Sequence, residues 1–180
     1  MVDMASWNLS IPVGSPPKTV ETSALVKGYD GKYFRSESGY IFFWSPVTGS
    51  KTANAKFPRS ELRETWADGT LHNWMYPDAD NFLNATLEVN QVPSSGKIVI
   101  GQIHAYGSTE PMLKVEYQYK DATHNGNIVA KVRNRFDDKE SRVIQIAEGV
   151  PLNERFDYII HLSPGGALSV SARRKNWNSP

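Results

Sequence analysis

The 180-residue chain contains no cysteine, which excludes a disulfide framework, a thiol nucleophile and zinc held by thiolates. Its four histidines are scattered, so they supply no dense cluster of metal ligands. An excess of either charge is also lacking: 20 Lys and Arg stand against 19 Asp and Glu, a formal net charge of +1. No global field therefore draws the protein to nucleic acid or to an anionic membrane, and any anion must be recognised locally. No stretch approaches the roughly 20 apolar residues of a spanning helix. Met1-Val2-Asp3-Met4 has neither the basic start nor the apolar run of a secretory signal. The expected location is secreted or periplasmic if a leader was removed, and cytoplasmic otherwise. Helical spacing is confined to Ser23-Ala24-Leu25-Val26-Lys27-Gly28, where Thr22 or Ser23 would cap and Gly28 would stop a turn or two. A glycine-rich phosphate loop, a serine elbow and a metal-binding histidine pair are all missing.

What is present is period two. With 39% hydrophobic and 22% charged residues, the chain has the composition of one globular domain over residues 1–180. Alternating segments run over 40–44, 59–65, 81–92, 97–106, 112–120, 127–136, 142–146, 156–162 and 167–172. Many short strands separated by turn residues predict an all-β sandwich or jelly roll. Asn125-Gly126 reads as a hairpin turn joining the strands from Met112 and Asn127. Pro164-Gly165-Gly166 reads as a turn joining the strands from Phe156 and Ala167.

Alternation assigns faces. Leu113, Val115, Tyr117 and Tyr119 share one face of their strand, and Lys114, Glu116, Gln118 and Lys120 share a wet one. Gln102 and His104 point the same way, together with Ile98, Ile100 and Tyr106, and opposite to Val99, Gly101, Ile103 and Ala105. Arg59, Glu61 and Arg63 line one surface with Ser60 and Leu62 behind them. The plain reading of that row is a salt-bridge ladder on a solvated face. The functional reading is a polar concave groove for an extended sugar chain. Glu61 and Glu116 also raise the option of an acid and base pair for glycoside hydrolysis. Trp7, Trp44, Trp66, Trp74 and Trp177 are candidate sugar-stacking platforms, with core packing the better expectation for most of them.

Arg59-Ser60-Glu61-Leu62-Arg63-Glu64 and Gln102-Ile103-His104 resemble the first two signatures of the alginate lyases of polysaccharide lyase family 7. Trp7-Asn8-Leu9-Ser10-Ile11-Pro12, Phe57-Pro58 and Leu168-Ser169-Val170-Ser171 are similar to other members, so the resemblance runs through nearly the whole chain. It implies a β-jelly roll of two curved antiparallel sheets and eliminative cleavage of alginate or oligo-alginate. By the same resemblance, Arg59 and Gln102 hold the uronate carboxylate with Asn54 in that pocket, and His104 takes part in proton abstraction. Abstraction of H5 places a second negative charge beside a carboxylate, so Arg and amide donors must neutralise that group first. A base then takes H5 and an acid protonates the leaving O4; an imidazole with an ordinary pKa of roughly 6.5 suits the base. The scheme needs no cofactor and no metal. Glu61, Arg63, Lys114 and Gln118 are the further candidates for contacting substrate. Ile103 between Gln102 and His104 is associated in the family with guluronate links.

The family's third signature, a Tyr-Phe-Lys-Ala-Gly segment with a further Tyr and Gln, has no counterpart before Pro180. That segment carries the family's catalytic tyrosine, with Tyr106, Tyr117 and Tyr119 as the local substitutes. Absent final strands would leave a sheet edge and apolar core surface uncovered. The expectation is a monomeric alginate lyase, unless another chain supplies those strands. The alternative is an impaired jelly roll that binds alginate or another anionic polysaccharide without cutting it.

Overall fold

The computed structural model describes residues 2–37 and 39–174. Its secondary structure is nearly all antiparallel strand, as a jelly roll requires. Contacts group the chain into two compact units, Met1–Asn73 and Trp74–Pro180. Trp177 lies outside the described residues.

In the first unit, β1 (Trp7–Ile11) lies between β2 (Lys18–Val20) and β5 (Glu61–Glu64), and β3 (Phe34–Glu37) pairs with β4 (Tyr40–Phe43). Leu9 stands opposite Val20 on one side and Leu62 on the other, and is fully buried. Met4, Ile11, Val20, Leu25 and Phe34 complete that core. The other face of the same strands carries Asn8 opposite Arg63 and Ser10 opposite Glu61. Sequence alternation thus gave the right face for Glu61 and Arg63, although β5 begins two residues after Arg59.

The helix α1 (Thr22–Val26) ends as expected. Gly28, at φ +84°, donates to Leu25 O, and Tyr29 donates to Ala24 O, which closes the last turn. Its start differs: Glu21 is the N-cap residue and makes no side-chain cap. The Thr22 hydroxyl instead shares a buried hydrogen bond of 3.1 Å with Thr65.

In the second unit, β6 (Asn81–Leu87), β11 (Phe156–Leu162) and β12 (Leu168–Arg174) form one sheet in the order β12-β11-β6. The other contains β7 (Lys97–His104), β8 (Pro111–Lys120), β9 (Asn125–Val132) and β10 (Arg142–Val150), ordered β10-β9-β8-β7. Leu113, Val115, Tyr117, Ile128 and Ala130 from the second sheet pack with Phe156, Tyr158 and Ile160 from the first. Between the edge strands β10 and β12 runs an apolar cleft of about 390 Å³, lined by Ile144, Ile146, Leu168 and Val170 among others.

Both expected pairings are present, and the Pro164-Gly165-Gly166 turn is closed by Gly166 N–H to Ser163 O at 2.9 Å. Asn125-Gly126 is not a turn. The reversal occupies residues 121–124 with His124 at φ 52°, and Asn125 and Gly126 already pair with Lys120 and Tyr119 inside the ladder. Gly126 is needed there for space: a Cβ on it would overlap the Tyr117 ring. Gly126→Ala is therefore expected to lower stability by about 1–3 kcal/mol through overpacking. Denaturant unfolding checks this, and an unchanged midpoint would refute the close-approach role.

Candidate active site

The register of the second sheet builds one polar face. Gln102 on β7 stands opposite Lys114 on β8, which stands opposite Lys131 on β9. One step along, Val99, Glu116 and Val129 form the next row, followed by Lys97, Gln118 and Asn127. The expected face of Lys114, Glu116 and Gln118 is thus correct, but its centre is not wet. Glu116 is only 7% exposed. Its carboxylate accepts Lys131 Nζ at 2.8 and 2.9 Å on its two oxygens, and Gln118 Nε2 at 2.8 Å.

The face of β7 also needs correction. A register shift at Ile100 interrupts the alternation: Ile98 lies opposite Tyr117, whereas Gly101 lies opposite Val115 and Ile103 opposite Leu113. Ile98, Ile100 and Ile103 all pack against the core, so Gln102 shares its face with Val99 and not with the two isoleucines. The shift is fixed from the opposing sheet, because Tyr158 donates its hydroxyl to Ile100 O at 2.6 Å. Gly101 leaves room for this contact: a Cβ there would stand 2.8 Å from that hydroxyl. His104 closes β7 two residues after Gln102, half-buried and opposite Pro111 across a second shift.

The remaining expected residues belong to the first unit. Arg59 Nη1 lies 3.7 Å from Glu61 Oε1, with both side chains about one-third exposed (37% and 32%). Ser60, on the other side, donates to Tyr33 O at 2.8 Å. Arg63 is exposed opposite Asn8, and Asn54 sits exposed in a turn. The candidate set is therefore carried by both units, with Asn54, Arg59, Glu61 and Arg63 on one and Gln102, His104, Lys114 and Gln118 on the other. Among the described residues, no group of three or more His, Cys, Asp or Glu side chains converges as metal ligands.

Lys131 is absent from the sequence-derived candidates, although alternation of Asn127, Val129 and Lys131 against Ile128, Ala130 and Val132 in the expected strand already places it on this face. Of the tryptophans, Trp7 packs on the first core, whereas Trp44 and Trp66 are exposed, against the expectation of core packing. Trp44 stacks on Tyr33 with ring centroids 5.7 Å apart, and Trp66 lies against His72 at 3.7 Å.

The family of alginate lyases matches over residues 2–179. Among solved structures, the alginate lyase PA1167 from Pseudomonas aeruginosa is 45% identical, with 94% of this chain and 78% of that chain covered and a TM-score of 0.90. Alginate lyase A1-II′, a member of polysaccharide lyase family 7, is 26% identical over 95% of this chain and 76% of that one, with a TM-score of 0.79. The alginate lyase from Klebsiella pneumoniae, 22% identical, shares the fold over 99% of this chain and 79% of its own, also with a TM-score of 0.79. Comparison with curated proteins gave no match. Fold and matches define a polysaccharide-degrading lyase of the jelly-roll class. The chain belongs to the alginate lyase family, polysaccharide lyase family 7, and is an enzyme that acts on alginate.

Lys114 titrates below an ordinary lysine, chiefly because burial disfavours its ammonium; Arg133 and Lys131 push the same way, against Glu110 and Glu116. A lysine depressed in the folded state opposes folding at neutral pH, and this penalty disappears as pH rises through its folded pKa towards its unfolded one. Lys114→Met is thus expected to stabilise the protein at pH 7, with the gain shrinking at alkaline pH. Parallel chemical denaturation of variant and parent checks this, and a pH-independent difference would contradict it.

Proposed function

We propose that the chain cleaves alginate by β-elimination, with a preference for guluronate-containing links, acting as a monomer without cofactor or metal. Residues 1–180 are read as one lyase domain, which the single family match over 2–179 supports. Arg59, Asn54 and Gln102 neutralise the uronate carboxylate, His104 takes part in removal of H5, and Arg63, Lys114 and Gln118 contact neighbouring uronates, with Glu61 orienting Arg59. The observation that carries this reading is the face of β7 and β8. Gln102 and Lys114 stand side by side as donors, with His104 two residues along the same strand.

Neutralising the carboxylate is the principal requirement, since the carbanion formed on loss of H5 delocalises into that group. An Arg fork supplies two parallel hydrogen bonds, and an amide supplies directional donors. Ile103 faces the core, so a guluronate preference would act through the placement of its neighbours and not through contact with sugar.

One observation favours a second reading, alginate binding without cleavage. Tyr117 is fully buried, its hydroxyl donates to Val150 O at 2.8 Å, and burial pushes its phenol up to about 12. The Tyr119 hydroxyl lies 3.5 Å from His124 Nδ1, and of these three tyrosines Tyr106, with 87% of its surface exposed, is the one most open to solvent. Hydrolysis by Glu61 and Glu116 is disfavoured, because Glu116 is only 7% exposed and its carboxylate is taken by Lys131 and Gln118, so it has no reach to a glycosidic oxygen.

Ultraviolet absorbance of the unsaturated product, followed on mannuronate-rich and guluronate-rich alginate, tests the reading. A rising signal is expected, greater on the guluronate-rich polymer, and His104→Ala should reduce it by about 10²–10⁴-fold. Arg59→Ala should reduce kcat by about 10²–10³-fold. Folded protein that binds alginate and gives no signal would replace elimination by the binding reading.

A further inference from the structure

Glu116 is the one charged residue among the described residues that is buried as a whole, and none of the chemistry above uses it. Its surroundings are unusual for the polar side of a sheet. Val99 and Val129 flank it on the neighbouring strands, and its oxygens are taken by Lys131 and Gln118. Lys131 in turn stands directly opposite Lys114. Like charges in directly opposed positions repel and destabilise a ladder. The ion pairs of this face go to Lys131 and Arg133, which is held by Glu110 at 3.1 Å, and leave Lys114 as a half-buried ammonium.

We propose that Glu116 is a positioning residue for the polymer: it fixes Lys131 and Gln118 so that two ammoniums, Lys114 and Lys131, receive one uronate carboxylate between them. The inference rests on the alginate-cleaving reading and specifies how this face grips the chain. The ammonium of Lys131 has three donors, so contact with Glu116 leaves capacity for a ligand. Without Glu116, repulsion from Lys114 and the loss of both hydrogen bonds release Lys131 into solvent. An arriving carboxylate supplies the counter-ion that the protein provides for only one member of the pair. Glu116 does not touch substrate in this scheme; it acts through Lys131.

Electrostatics alone predicts the opposite sign, which makes the role testable. Removing an anion beside a polyanion strengthens attraction, so a merely local charge at Glu116 would make Glu116→Gln bind alginate more tightly. Positioning requires weaker binding. The affinity for an oligoguluronate trisaccharide is measured by titration calorimetry in a His104→Ala background, which keeps the sugar intact, with thermal unfolding as the check on fold. Glu116→Gln is expected to weaken affinity by about tenfold or more, the effect of losing a charged hydrogen-bonded anchor. In the parent background, KM should rise while kcat changes little.

Glu116→Asp keeps the charge and the fold but withdraws the carboxylate from Lys131. It should show a loss in the same direction, whereas a pure charge effect would leave it unchanged. In a Lys131→Gln background, the Glu116 substitutions should have a smaller further effect, the part that acts through Gln118. Unchanged or tighter binding by folded Glu116→Gln, or by Glu116→Asp should the former not fold, overturns the proposal. Failure of the elimination reading is seen separately, as parent protein that binds the trisaccharide and yields no ultraviolet product. The Glu116 result is still read from affinity in that case, while absence of any binding by the parent overturns both.

Discussion

The close approach of Tyr117 to Gly126 sets the register on which the rest of the second unit depends. The ring lies where a side chain at residue 126 would stand, and its hydroxyl is anchored to Val150 O on the neighbouring strand β10. Three strands are thereby locked by one residue. In an antiparallel ladder, a slip by one position sends every side chain to the opposite face. Here such a slip would take Lys131 away from Lys114 and put Ala130 in its place, dismantling the donor row and leaving Glu116 without its cation. The polar face is therefore a consequence of how the apolar face packs.

That face holds more positive charge than its own packing favours. Glu116 offsets one lysine, and the partial burial of Lys114 opposes its ammonium, so the empty face carries an electrostatic penalty. Strain of this kind has a use in a protein whose substrate is an anion. In the proposed grip, a carboxylate brought by the sugar would relieve the repulsion between Lys114 and Lys131, and only in the bound state. Neutral residues would give a more stable sheet with no such difference between free and bound protein.

Which parts were legible in the sequence follows from which interactions are local. The strand Phe156–Leu162 was read with its observed ends, because Tyr158 and Ile160 alternate with polar residues and turn residues bound the segment. Trp7-Asn8-Leu9-Ser10-Ile11 alternates just as clearly, yet it was not assigned as a strand; its five residues gain meaning only beside Val20 and Leu62. Asn125-Gly126 carries the strongest local signal for a hairpin, and a contact with a residue nine positions earlier overrides it. The break at Ile100 is less visible still, since its carbonyl is satisfied by Tyr158, 58 residues further along. Alternation projected across that break put Ile98 and Ile100 beside Gln102. The identities of Arg59, Gln102, His104 and Lys114 were readable from motif and parity, whereas the burial of Glu116 and the part played by Lys131 arise from pairing across three strands.

A formal charge of +1 and a locally cationic sheet face together suit an enzyme that must bind a polyanion and then let its fragments go. A strongly basic protein would hold alginate through long-range attraction indifferent to where the chain sits. Screening at physiological salt reduces such attraction over about 8 Å, but it acts far less on partly buried contacts. Concentrating the positive charge in the row of Lys114 and Lys131, while Glu116, Glu110 and the rest of the acidic surface balance it, makes attraction depend on alignment. In the proposed grip, a uronate chain in register would meet partly buried donors, and one out of register a nearly neutral protein. Affinity then falls when a fragment loses its place, so the same geometry that selects the bound chain also permits release.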